Sequence, residues 1–124
     1  MGKPGNTGIG RIMRAAVFSM QGFSYAWKHE AAFRQELALT IVLVPAAFWL
    51  GRNPPEIALL IGVCLVVLTV ELLNSALEAA VDRHGSERHE LAGATKDLGS
   101  AAVFVSLCLV LLVWLAVAWD RFLA

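Results

Sequence analysis

From Leu98 to Trp119 the chain carries no charged side chain, and the same holds from Ile57 to Val70. Uncharged runs of this kind read as membrane-spanning helices, because a hydrocarbon core about 30 Å thick takes roughly 20 apolar residues to cross. A third run, Leu37 to Leu50, is shorter and reaches across only by including 31–36, which puts Arg34 and Glu36 at the interface. The pattern therefore predicts spans over 31–50, 57–81 and 98–119. Pro45 falls inside the first; a bundle can re-satisfy its lost backbone bond, so a kink is expected and no break. Asn53-Pro54-Pro55 predicts a tight turn between the first two spans.

Ahead of the spans the hydrophobic period changes. Ile9, Ile12, Met13, Ala16, Val17, Met20, Phe23 and Trp27 recur at three- and four-residue spacing, with Arg11, Arg14, Gln21 and Lys28 on the opposite side. That spacing predicts an amphipathic helix over 8–29, lying in the plane of the membrane surface. Phe18 and Tyr25 project from its polar face. Tyr25 reads as an interfacial anchor; Phe18 could equally be a platform for a flat ligand. The expected fold is an all-α membrane protein of one domain, 1–124, with this surface helix, three transmembrane helices and a polar loop over 82–97.

Composition agrees: a 124-residue chain that is 58% hydrophobic, with mean hydropathy +0.67, is too apolar for a soluble domain of its size. The formal net charge of zero argues against nucleic-acid binding. Its distribution is lopsided, however. Lys3, Arg11, Arg14, Lys28 and Arg34 precede the first span and Arg83, Arg88 and Lys96 fill the 82–97 loop, while Arg52 and Arg121 lie on the other side. The positive-inside rule then places the N-terminus and the 82–97 loop in the cytoplasm, and the 51–56 turn and C-terminus outside. The first apolar run begins beyond residue 35 and no small-residue cleavage site follows, so no cleaved signal peptide is expected. Cys64 and Cys108 stand singly in two spans and read as packing residues.

Against this apolar background, Glu71, Asn74, Glu78 and Asp82 form a polar stripe. At about 100° per residue they fall within an arc of about 80° on one helix face. A carboxylate at membrane depth costs roughly 2.5–3.5 kcal/mol. Spans one and three offer Glu71 no cationic partner at its depth, so the stripe reads as a site for a cation, a proton or a metal–phosphate complex. Glu71 and Glu78 lie about 10 Å apart along the axis, too far to share one metal ion. A division of labour suits them better: the deeper carboxylate meets a lipid-soluble substrate, the shallower a cytosolic metal–nucleotide. Magnesium prefers one or two carboxylates plus phosphate oxygens, which Glu78 and Glu30 could supply. Lys96 beside Asp97 offers a cation for phosphate. No Walker sequence, kinase glycine loop or His/Cys zinc cluster is present.

Glu71-Leu-Leu-Asn-Ser-Ala-Leu-Glu-Ala-Ala-Val-Asp-Arg, followed by Gly85-Ser-Glu and Lys96-Asp-Leu-Gly-Ser-Ala-Ala, resembles the signature of the bacterial integral-membrane diacylglycerol kinases. Glu30-Ala-Ala-Phe-Arg-Gln-Glu36 resembles the start of that family's first span, and the similarity runs from about Gly8 to Trp119. The resemblance implies a homotrimer in the bacterial cytoplasmic (inner) membrane. It implies transfer of the γ-phosphate of Mg-ATP to the free hydroxyl of diacylglycerol, giving phosphatidic acid. It further implies Glu71 as general base with Asn74 supporting it, Glu30 and Glu78 as Mg2+ ligands, and Arg11, Phe18, Glu87, Arg88, His89, Lys96 and Asp97 around ATP. Arg34, Glu36 and Ser100 would lie near the lipid substrate. Phe18 and Arg88 stand where the family commonly has tyrosine.

Ser75, Ala76, Ala79 and Ala80 flank the stripe with small side chains, so close helix approach and oligomerisation through the second span are expected. A site shared between subunits would follow. Two rivals remain. Undecaprenol kinases of the same superfamily phosphorylate a polyprenyl alcohol, although 82–91 and Gly99-Ser-Ala-Ala look more like the diacylglycerol branch. A small ion-coupled transporter would explain Glu71 but not Lys96-Asp97 or the surface helix.

Overall fold

The computed structural model describes residues 8–83 and 90–124. Four helices follow one another: α1 (Gly8–His29), α2 (Ala31–Leu50), α3 (Pro54–Asp82) and α4 (Glu90–Phe122). The last three are long and apolar enough to cross a membrane. Helix α2 runs through Pro45 without a break. Helix α3 starts at Pro54, ahead of the apolar run, because Asn53 caps it: the Glu56 amide donates to Asn53 Oδ1 at 2.9 Å. Pro54 and Pro55 occupy the first turn, where a missing N–H costs nothing.

Helix α4 differs from the sequence pattern. Residues 90–97, read from hydropathy as loop, form its first turns. Hydropathy detects membrane depth, not helicity, and Glu90, Lys96 and Asp97 mask a helix that continues past the apolar boundary.

Helix α3 is the centre of the fold, packing most extensively on α4 and next on α2, while α1 rests on α2. At the end remote from the acidic stripe, Ala47, Leu50, Leu60 and Val117 form a small core, with Trp114 Nε1 donating to the Leu60 carbonyl at 3.2 Å. Polar side chains close this end. Arg121 Nη1 donates to the carbonyls of Trp49 (2.6 Å) and Leu50 (2.9 Å), satisfying the open C-terminus of α2. Arg52 bridges Glu56 at 2.9 Å and Asp120; the bond to Glu56 first, then that to Asp120, raises its pKa above the ordinary arginine value. Gly51 is obligatory here, since a Cβ would come within 2.6 Å of the Ile57 side chain.

The remaining helix faces are apolar and open. Ile41, Val42, Leu65, Phe104, Leu111 and Leu112 are all exposed, and within a span such faces meet lipid tails or neighbouring helices. Along α1, Ala26 alone is buried.

Candidate active site

The acidic stripe of α3 separates into three levels, each with its own partner. Deepest is Glu71, only 3% exposed. Its neighbour is not a cation but the carboxyl of Glu36 on α2. Glu36 Oε1 is buried without a hydrogen-bond partner. The seating of α2 brings Glu36 there: Phe33 and Thr40, one turn before and one after, are buried on the same side. The Thr40 hydroxyl ties back to the Glu36 carbonyl at 2.8 Å. Two neighbouring carboxyl groups repel when both are ionised, and a proton or a cation between them relieves that repulsion.

At the second level Asn74 Nδ2 donates to Glu78 Oε2 across 3.5 Å, one turn along the same helix. Asn74 Oδ1 is buried without a hydrogen-bond partner. At the third level Lys96 Nζ, from the first turns of α4, pairs with Asp82 Oδ1 at 2.9 Å. The pattern placed Asp82 on the stripe without a partner and set Lys96 beside its chain neighbour Asp97. Because residues 90–97 are helical, Lys96 is instead presented to the end of α3, and Asp97 is left exposed. The signal was present in part, since Asp82 lies on the same arc as Glu78.

The other candidates are more dispersed. Glu30 occupies the elbow between α1 and α2 in extended conformation, and its side chain does not cap α2. Arg34 Nη1 donates to the Trp27 carbonyl at 2.6 Å, closing the end of α1. Arg11 and Phe18 are exposed on α1, and Ser100 is exposed on α4. Glu87, Arg88 and His89 lie outside the described residues. Among the described residues no three His, Cys, Asp or Glu side chains gather into a ready-made cation cage.

Between α1, α2 and α3 is an apolar cavity of about 560 Å³. Its walls come from Met20, Phe23 and Trp27 of α1, Phe33 and Leu37 of α2, and Leu68 of α3. Leu37 follows Glu36 directly, and Leu68 lies almost one turn before Glu71, so the helix segments that carry the two carboxyls also wall the cavity.

Three apolar spans around a buried carboxyl pair define a multi-pass helical membrane protein with a polar site at one end of its bundle. Residues 17–118 match the family model for prokaryotic diacylglycerol kinase. The chain is 52% identical to a diacylglycerol kinase of Pseudomonas aeruginosa over 110 residues, 89% of each chain. It is 49% identical to one of Haemophilus influenzae, covering 87% of this chain and 92% of that one. With the Escherichia coli diacylglycerol kinase it shares 46% identity over 94% of this chain and 95% of the other. The chain belongs to the prokaryotic diacylglycerol kinase family, and it is an enzyme, a kinase.

Proposed function

We propose that the protein transfers the γ-phosphoryl group of ATP to the free hydroxyl of diacylglycerol, giving phosphatidic acid and ADP, with Glu71 as the general base. The observation that carries this reading is the burial of Glu71 beside Glu36, on helix segments that also wall an apolar cavity. A lipid alcohol with its chains in that cavity would bring its hydroxyl toward the Glu71 carboxylate. Glu71 takes the hydroxyl proton as the oxygen attacks the γ-phosphorus; the bond from that phosphorus to the bridging oxygen breaks and ADP leaves. Glu36 orients the base, and Arg34 holds the α1–α2 elbow against which the lipid lies.

The nucleotide belongs at the shallower levels. Lys96, fixed by Asp82, offers its charge to phosphate oxygens, with Asp97 beside it; Ser100, one turn further along α4, would lie near the lipid substrate. Arg11 and Phe18 extend from α1, and Glu87, Arg88 and His89 would complete the nucleotide's surroundings. The donor set suits magnesium, which takes one or two carboxylates and completes its shell with phosphate and water. Glu78, steadied by Asn74, and Glu30 in the elbow would hold it. When bound, the metal neutralises charge on the transferring phosphoryl group.

In this reading α1 lies on the cytoplasmic face as an amphipathic surface helix. The subunits form a homotrimer in the bacterial inner membrane, with the 82–97 loop inside and the C-terminus outside. The deciding experiment is phosphorylation in mixed micelles with Mg-ATP. Diacylglycerol is expected to turn over far faster than undecaprenol; equal or faster turnover of the polyprenol would move the chain to the polyprenol branch. Failure of any lipid alcohol to stimulate ATP consumption would overturn the reading altogether.

A further inference from the structure

Gly99 is buried in α4, at a position where helix propensity alone favours alanine. Around Gly22, Gly62 and Gly93 a Cβ would meet open space; at Gly99 it would overlap the Oδ1 of Asn74. That oxygen is itself buried and makes no hydrogen bond. The other end of the same amide donates to Glu78. We infer that Gly99 is a positioning residue for the nucleotide end of the site: the bare backbone of α4 seats the Asn74 amide and so keeps its Nδ2 directed at Glu78.

The argument is geometric. Oδ1 and Nδ2 share one rigid plane, so a group that displaces the oxygen turns the nitrogen away as well. Glu78 then loses the donor that fixes its carboxylate, and partners of this kind are what orient a metal-binding carboxylate. The displaced atom is the end of a side chain, not backbone, so α3 and α4 need not separate. A methyl group at residue 99 therefore acts on the site and spares the fold. This role rests on the reading of Glu78 as the carboxylate that faces the metal–nucleotide.

Gly99→Ala in the full-length chain tests it with two measurements. Asn6, Asn53 and Asn74 are the asparagines of the sequence, so selective ¹⁵N-asparagine labelling in micelles isolates their side-chain amides. The Asn74 amide is expected to shift while that of Asn53, at the far end of the bundle, stays in place. Affinity for a non-hydrolysable Mg-ATP analogue should fall about 10–100-fold, the usual loss when a supporting partner of a metal ligand is removed. The KM for the lipid should hold. In an Asn74→Ala background, Gly99→Ala should bring no further loss of nucleotide affinity. An unmoved Asn74 amide, or losses that simply add in the double variant, overturns the role of Gly99. Lack of analogue binding by the unsubstituted protein overturns the underlying assignment of Glu78 instead.

Discussion

A glutamate that is 3% exposed in an otherwise apolar helix is costly to keep for packing alone, and Glu36 beside it removes the structural explanation of an ion pair. Repulsion or a shared proton is what such a neighbour provides. Glu71→Gln keeps the shape of the side chain and relieves the burial of charge, so the bundle should assemble as well as before or better. Turnover should fall about 10²–10⁴-fold, the range expected on losing a general base. Activity and oligomer integrity must be read in the same detergent preparation. A well-assembled variant with near-normal turnover would eliminate Glu71 as the base.

Helix α3 carries a span, a site and the packing centre at once, and these tasks divide along its length. Its start is held by the Asn53 cap and the Arg52–Glu56–Asp120 group; its end carries Asn74, Glu78 and Asp82. Exposed ion pairs such as those of Arg52 contribute little, because solvent and salt screen them. Arg121 is different, because it donates to two otherwise open carbonyls at the end of α2 and lies over the ring of Trp49. Arg121→Met is expected to cost about 1.5–3 kcal/mol, the scale of hydrogen bonds to a charged group. Thermal unfolding in detergent measures it. The kcat of the enzyme below the transition should not change, since the substitution lies at the end of the bundle away from the stripe. A lowered kcat would mean that the two ends are coupled.

The whole molecule leaves most of its apolar side chains uncovered, from Ile41 on α2 to Leu112 on α4. Lipid covers some of these faces. The small residues beside the stripe suit a second copy better, because they let helix backbones approach closely. Ala80 is exposed on α3 and does not line the groove that Ala76 and Ala79 share with α1. Ala80→Leu should hold a neighbouring α3 away, lowering the cross-linked oligomer fraction and the activity together. Mass action predicts that raising the protein-to-detergent ratio restores both. Loss of activity from an intact oligomer would instead assign Ala80 to the site itself.

Hydropathy alone determined the three spans, because crossing a bilayer imposes a length and polarity that no other environment demands. The same logic exposed Glu71 and Glu78, which stand out only against an apolar helix. Helical period put Asp82 on their arc without saying what it meets. Three things waited for the tertiary structure: the meeting of Glu36 with Glu71, the pairing of Lys96 with Asp82, and the seating of Asn74 on Gly99. Each joins residues on different helices, and such contacts depend on how α2 and α4 are rotated against α3. Periodicity reports which side of one helix is polar, but not which residue of another helix faces it; close packing of whole helices decides that.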